Sequence, residues 1–117
     1  MKKLIILSLL LASILPLSAR STFSGQRVYL KECRLCHLGS SIYLKTHTLA
    51  EWNDILDADG SSLANIHLGK KVMNVRRNDG SKKDSHTYFK SEYYPKSYQK
   101  LKAFIIEFAK KNNSTEN

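Results

Sequence analysis

The most constraining feature of this chain is the pentapeptide Cys33-Arg34-Leu35-Cys36-His37. Two cysteines separated by two residues on a helical turn can bond to the same edge of one flat macrocycle. The histidine directly after them can then direct its imidazole at a metal ion in the centre of that macrocycle. The spacing therefore predicts a c-type haem attachment site, with thioether bonds to Cys33 and Cys36 and iron ligation by His37.

Two other chemistries also use closely spaced cysteines. A thioredoxin-like redox dithiol follows a strand in a βαβ pattern, whereas Cys33 and Cys36 lie in polar, helix-compatible sequence. A structural zinc site needs four ligands, and the chain has no second cysteine pair to complete a tetrahedron, although histidines could contribute. Haem attachment is therefore the favoured hypothesis, with the dithiol and the zinc site as alternatives.

The N-terminal residues predict the compartment. Lys2 and Lys3 precede an apolar run over residues 4–15, and small residues follow at Ser18 and Ala19. This pattern predicts a signal peptide over residues 1–19, cleaved after Ala19, and a periplasmic mature protein. The alternative is an uncleaved anchor, but the apolar run is shorter than the roughly 20 residues that a membrane-spanning helix needs.

Length and charge limit the organisation and the partners of the mature chain. Residues 20–111 are expected to form one small domain, followed by a polar tail at residues 112–117. Without Lys2 and Lys3 the chain has 17 basic against 10 acidic side chains, a net charge of +7. This charge favours acidic partners at low salt, whereas an exported chain would not meet nucleic acid. A merely solubilising basic surface is the alternative interpretation.

The hydrophobic pattern predicts an all-α fold, because no stretch of useful length alternates like a β-strand. Ser24 is the candidate N-cap of a first helix that continues through Glu32 into the cysteine motif. The segment Thr48-Leu49-Ala50-Glu51 has the form of a capping box and opens a second helix, which is expected to end at Gly60.

Two further helices are predicted in the C-terminal half, with a polar segment between them. Ser61 or Ser62 can cap a short helix that stops at Gly69, and Pro95 suits the first position of the last helix. Residues 74–87 are almost wholly polar and are expected to form a loop. An apolar stripe at positions i, i+3, i+4 and i+7 marks the last helix and consists of Leu101, Phe104, Ile105 and Phe108.

The arrangement resembles a small monohaem class I cytochrome c. Besides the attachment motif, Gly25 precedes Tyr29 by four residues, and Tyr29 precedes Cys33 by four. In that family a glycine and an aromatic residue at these places let the first and last helices cross closely. The resemblance implies a small bundle of three to five short helices around one covalently bound haem c. It also implies an electron carrier that docks on acidic redox partners and is not an enzyme.

The sequence leaves several alternatives for the sixth ligand of the iron. The resemblance implies Met73, which lies 36 residues after His37 but is followed by Asn74 instead of the usual proline. An open sixth position would make the chain a haem-based module that binds or converts small molecules. A haem subunit docked on a larger oxidoreductase is another alternative. Three histidines could also serve as the ligand: His47, His67 and His86.

The aromatic residues outside the motif receive structural roles. Trp52 falls on the apolar face of the second helix and is predicted to be core, with packing on the haem face or a hydrogen bond to a haem propionate as the alternative. The tyrosine-rich residues 88–98 are predicted to form an apolar lid on the haem side of the domain, with a partner-docking surface as the alternative.

Overall fold

The structure is a computed structural model that describes residues 17–115. Most of the predicted signal peptide, residues 1–16, therefore lies outside the described residues, and its last three residues already belong to a helix. No helix within residues 17–115 has the length and apolar character needed to cross a bilayer.

The described residues are mostly helical, which is compatible with the predicted all-α class, but they form seven α-helices instead of the three to five short ones that the resemblance implies. Short 3-10 turns at Leu44–Thr46 and Ala58–Gly60 connect neighbouring helices. In chain order the elements are α1 Leu17–Glu32, α2 Arg34–His37, α3 Ser40–Tyr43, α4 Leu49–Ile55, α5 Ser61–Leu68, β1 Asn74–Arg76, β2 Lys82–Asp84, α6 Thr87–Lys90 and α7 Tyr93–Thr115.

Both terminal helices are longer than predicted. The expected cap at Ser24 is wrong, because α1 already begins at Leu17 and no glycine or proline interrupts residues 17–24. The last helix, α7, begins two residues before Pro95. Pro95 still lies in the first turn, where backbone N–H groups have no partner within the helix, so its missing N–H costs no hydrogen bond. Since α7 ends at Thr115, most of the predicted polar tail is helical.

The capping box of α4 is present. The Thr48 side chain accepts a hydrogen bond from the Glu51 backbone N–H at 3.2 Å, and the Glu51 carboxylate accepts one from the Thr48 N–H at 3.1 Å. This helix ends at Ile55 instead of Gly60. Gly60 is the N-cap of α5 with a φ of 95°, so neither Ser61 nor Ser62 caps that helix.

The packing of α1 against α7 forms the centre of the fold, as the resemblance implies. A Cβ atom placed on Gly25 would lie 1.9 Å from the Lys100 carbonyl oxygen and 2.6 Å from the Phe104 Cβ. One turn further along, the Tyr29 ring meets the Phe104 ring edge to face at 5.9 Å. Only glycine permits this approach, and burial of Leu101 beneath it completes the contact.

The predicted loop at residues 74–87 contains a two-stranded antiparallel hairpin. Its strands pair Asn74 with Asp84 and Arg76 with Lys82, and its turn contains Gly80 at a φ of 88°. The loop prediction is wrong here because each strand has three residues, too few to show an alternating pattern. The turn signal at Asp79-Gly80 is confirmed by the position of the bend.

Tyr94 and Tyr98 of α7 belong to the core, so the predicted lid over residues 88–98 is wrong for these two tyrosines. The Tyr94 hydroxyl donates to the Gly60 carbonyl, and the Tyr98 hydroxyl donates to the Leu56 carbonyl. These bonds anchor the turn between α4 and α5 to α7. Trp52 is buried, and its indole N–H donates to the Leu44 carbonyl at 2.9 Å, which confirms its predicted core role.

Candidate functional site

A cavity of about 560 Å³ lies between α1, α4, α5, α7 and the hairpin, and the residues of the cysteine motif line it. Its volume is within the range of about 300–1,000 Å³ that is usual for pockets enclosing cofactor-sized ligands. Cys33, Cys36 and His37 all contribute to its lining. The apolar part of the lining includes Leu44, Trp52, Ile55, Leu63, Leu101 and Ile105.

Local hydrogen bonds form the helical turn that the motif predicts. The Cys36 and His37 backbone N–H groups both donate to the Cys33 carbonyl, at 3.2 and 2.9 Å. Burial, with Glu32 nearby, raises the pKa of the Cys33 thiol to about 12. A thiol with such a pKa is protonated at neutral pH, which is the opposite of the activated thiolate in a thioredoxin-like dithiol.

The His37 ring is positioned by aromatic packing. It stacks on the Tyr43 ring with centroids 4.2 Å apart and an interplanar angle of 25°. Burial, together with His67 and Lys70, lowers the pKa of His37 below its usual value. Because iron binds the neutral imidazole, this environment keeps the side chain in its ligating form near neutral pH.

The chain turns sharply directly after His37. Leu38 has a φ of 70°, in the left-handed region that non-glycine residues rarely adopt. Two bonds hold it there, since its N–H donates to the Arg34 carbonyl and its own carbonyl accepts from the Tyr29 hydroxyl, both at 2.8 Å. Tyr29 therefore links the α1–α7 crossing to the end of the motif, a role that its spacing alone does not reveal.

His67 lines the cavity from the last turn of α5. Its Nδ1 lies 2.8 Å from the Leu63 carbonyl oxygen, which can only accept a hydrogen bond, so Nδ1 carries the proton. The ring stacks on Phe89 at 4.2 Å, and its centroid lies 5.9 Å from that of His37. Burial lowers the pKa of His67 as well, so both imidazoles are neutral at pH 7.

The other predicted ligands have less suitable surroundings. Met73 contributes to the lining but is 67% exposed. His47 also contributes, with its Nδ1 3.4 Å from the Glu51 carboxylate. His86 Nε2 pairs with the Lys70 carbonyl at 2.9 Å, and His86 is not part of the lining. The structure thus brings Met73 and two of the three histidines to the cavity that the cysteine motif lines.

The donor set suits a macrocycle better than a bare ion. Within residues 17–115, no group of three or more His, Cys, Asp and Glu side chains is placed to hold a metal ion. A porphyrin supplies four equatorial bonds to its own iron and needs one or two axial ligands from the protein. One histidine beside two cysteines in an apolar cavity therefore fits a covalently bound haem.

Exposed positive side chains lie in the lining of this cavity and on the hairpin that contributes to it. Lys70 and Lys71 contribute to its lining and are exposed. The hairpin adds three exposed cations, and we call the five together the basic rim: Lys70, Lys71, Arg76, Arg77 and Lys82. Lys83 differs from them, because its ammonium pairs with the Glu32 carboxylate of α1 at 2.7 Å and is largely buried.

Comparison with protein-family models, with curated proteins and with solved structures gives no match for this chain. The assignment of a function therefore depends on the residues of the cavity and its rim.

Proposed function

We propose that this chain is a periplasmic monohaem c-type cytochrome that carries single electrons between redox partners. The observation that supports this most is the common placement of Cys33, Cys36 and His37. All three line one apolar cavity of cofactor size, and a second neutral imidazole, that of His67, lines it too. The motif alone predicts haem attachment, and the cavity supplies space for it.

A haem in this cavity would supply one-electron chemistry at its iron. The chain would hold the macrocycle by thioether bonds from Cys33 and Cys36 and would bind the iron through His37. Trp52 and Leu101, both buried, would exclude water from the same space. A rigid apolar enclosure of this kind needs little rearrangement when the charge of the group changes by one.

The basic rim gives the proposed carrier a docking surface. Lys70 and Lys71, which are exposed and line the cavity, would attract a partner with an acidic surface close to the haem edge, and the three exposed cations of the hairpin would add to the positive field. Because these side chains are exposed, the attraction should weaken strongly with salt, over a Debye length of about 10 Å at 0.1 M. Weak and brief association of this type suits a shuttle.

Covalent attachment can be tested directly. The full chain would be produced in a periplasm that contains the c-type haem maturation machinery, and its pigment would be extracted with acidified organic solvent. We expect the wild type to keep its haem and a Cys33→Ser/Cys36→Ser variant to lose it. His86→Ala, which changes a histidine outside the cavity, should keep it. A wild type whose pigment is extracted, or that never acquires pigment, would contradict the proposal.

The role of the basic rim in electron transfer can be tested with small redox reagents of opposite charge. Oxidation of the reduced protein by ferricyanide should slow as salt is added, whereas oxidation by hexaammineruthenium(III) should not. A Lys70→Glu/Lys71→Glu variant should react with ferricyanide about tenfold more slowly at low salt. Lys96→Glu/Lys110→Glu changes the net charge equally at exposed positions outside the cavity lining and should have a smaller effect. Equal rates in the two variants would show that the rim does not guide partners.

A further inference from the structure

We propose that His67 is the second axial ligand of the haem iron, which makes the site a bis-histidine centre. This inference rests on the proposed haem attachment at Cys33, Cys36 and His37 and goes beyond it by naming the sixth ligand. It differs from the histidine–methionine pair that the resemblance to class I cytochromes implies. Three features of the structure carry it: the spacing of the two rings, the hydrogen bond that holds His67, and the exposure of Met73.

The spacing of the two imidazoles is the first feature. Two imidazoles that bind one metal ion from opposite sides have ring centroids about 6 Å apart, because each metal–nitrogen bond is about 2 Å long. The His37 and His67 centroids are 5.9 Å apart, and the ring planes are nearly perpendicular, at 87°. The two rings thus already have the separation of an axial pair, although they lie 30 residues apart in the sequence.

The hydrogen bond of His67 is the second feature. A histidine that binds a metal commonly donates its other ring N–H to a backbone carbonyl, which fixes the tautomer and the orientation of the ring. The Nδ1–H of His67 donates in this way to Leu63, one helical turn earlier in α5. Its Nε2 consequently carries the lone pair, and within residues 17–115 this atom has no hydrogen-bond partner.

Packing on the far side of the ring adds rigidity. His67 stacks on Phe89, which in turn meets Tyr88 at 5.1 Å and Tyr94 at 5.0 Å, both edge to face. Tyr88 and Tyr94 are buried core residues. The imidazole is therefore supported by the core of the domain and belongs to a helix, the kind of rigid placement that a metal ligand requires.

The surroundings of the competing side chains are the third feature. Met73 is 67% exposed, and its backbone is held at the base of the hairpin by two hydrogen bonds with Ser85. The His47 ring packs against Trp52 at 4.9 Å and Tyr43 at 6.4 Å instead of His37, and His86 lies outside the cavity lining. Of the candidate ligands, His67 is the one whose ring lies beside that of His37, with one nitrogen held by a backbone carbonyl and the other without a partner within residues 17–115.

A bis-histidine centre has a functional consequence. Imidazole stabilises ferric iron relative to the thioether of methionine, so the reduction potential should be lower than in a histidine–methionine cytochrome. The carrier would then accept electrons from strongly reducing donors. We therefore expect its redox partners to be proteins of low reduction potential with an acidic docking surface.

The ligand can be identified by optical and magnetic spectroscopy of the purified ferric haem protein. We expect a low-spin spectrum without the weak long-wavelength charge-transfer band of a methionine–iron bond. His67→Ala should become high-spin and, when reduced, should bind carbon monoxide, and added imidazole should restore the low-spin spectrum. His86→Ala, the matched control, should retain the wild-type spectrum.

Each result that contradicts the expectation shows whether the assignment of His67 or the proposed haem attachment is wrong. A methionine band in the wild type that disappears in Met73→Leu would overturn the assignment of His67 while leaving haem attachment intact. A high-spin wild type would show an open sixth position and would overturn it as well. If His67→Ala does not fold, the wild-type spectrum still separates histidine from methionine, and loss of the low-spin spectrum in His47→Ala would overturn the assignment of His67. A wild type without covalent pigment would overturn the proposed function itself.

Discussion

The crossing of α1 and α7 and the hairpin segment at residues 73–86 are held together in contrasting ways. At the crossing, Gly25 and Tyr29 contact Phe104 directly, and the interface is apolar and buried. The hairpin has few buried side chains and is joined to α1 by the ion pair between Lys83 and Glu32. The crossing therefore provides stability, whereas the hairpin provides charge and one edge of the cavity.

This difference indicates where the domain should open first. Local unfolding begins where few apolar contacts are buried and where backbone hydrogen bonds are exposed. The hairpin satisfies both conditions, while the crossing satisfies neither.

The largest stability effect is expected at the crossing. Gly25→Ala would place a Cβ 1.9 Å from the Lys100 carbonyl oxygen, so α1 and α7 would have to separate. We expect a loss of about 3 kcal/mol in the free energy of unfolding, measured by urea denaturation of the haem-loaded protein. Gly39→Ala is the control, because nothing lies within 4 Å of the added Cβ, and it should cost less than about 1 kcal/mol. Equal effects at the two glycines would refute the close crossing.

A smaller effect is expected where the hairpin meets α1. Lys83→Met leaves the largely buried Glu32 carboxylate without its cation and should cost about 2 kcal/mol. The destabilisation should be local, so hydrogen exchange should become faster mainly at the hairpin amides. Lys82→Met, on the exposed neighbouring residue, should change little. Adding Glu32→Gln to Lys83→Met should recover part of the lost stability. If the effects of the two substitutions on the free energy of unfolding simply add in a double-mutant cycle, the ion pair is contradicted.

The smallest effect concerns acid sensitivity at the end of the hairpin. Hydrogen bonds from the Thr87 side chain and from the His86 and Thr87 backbone N–H groups lower the pKa of Asp84 from 3.8 to about 2. A folded-state pKa below the unfolded value stabilises the protein above pH 3.8, and this contribution disappears as the pH falls to about 2. Asp84→Asn should flatten the pH dependence of stability in that window.

The Asp84 titration can also be followed by NMR. Thr87→Val removes the hydroxyl that contributes most to the shift and should move the pKa of Asp84 part of the way back to 3.8. An unchanged titration in Thr87→Val would mean that the hairpin end is not held by this contact.

Local signals predicted several elements correctly. The capping box at Thr48 and the turn at Asp79-Gly80 depend on neighbouring side chains and backbone, and both are present in the structure. The start of α1 and the roles of Tyr94 and Tyr98 were predicted incorrectly. Helix length depends on the absence of a stop signal, and the tyrosines are buried by contacts with a segment about 40 residues away.

In the candidate site too, the residues with a local sequence signal were predictable and the others were not. Cys33, Cys36 and His37 are recognisable because their chemistry requires a fixed local spacing. His67 carries no such signal, since a single histidine near the end of a short helix has many uses. Only the packing of α5 beside the motif brings its ring to 5.9 Å from His37 and sets its Nδ1 on Leu63.

The amino-acid sequence by itself determined the helical class, the cysteine–histidine motif and the glycine that lets two helices meet, because each depends on residue type and short spacing. The tertiary structure decided the hairpin, the cavity with Lys70 and Lys71 in its lining, and the place of the His67 imidazole beside that of His37. These features arise from contacts between residues far apart in the chain, and such contacts exist only after the helices have packed.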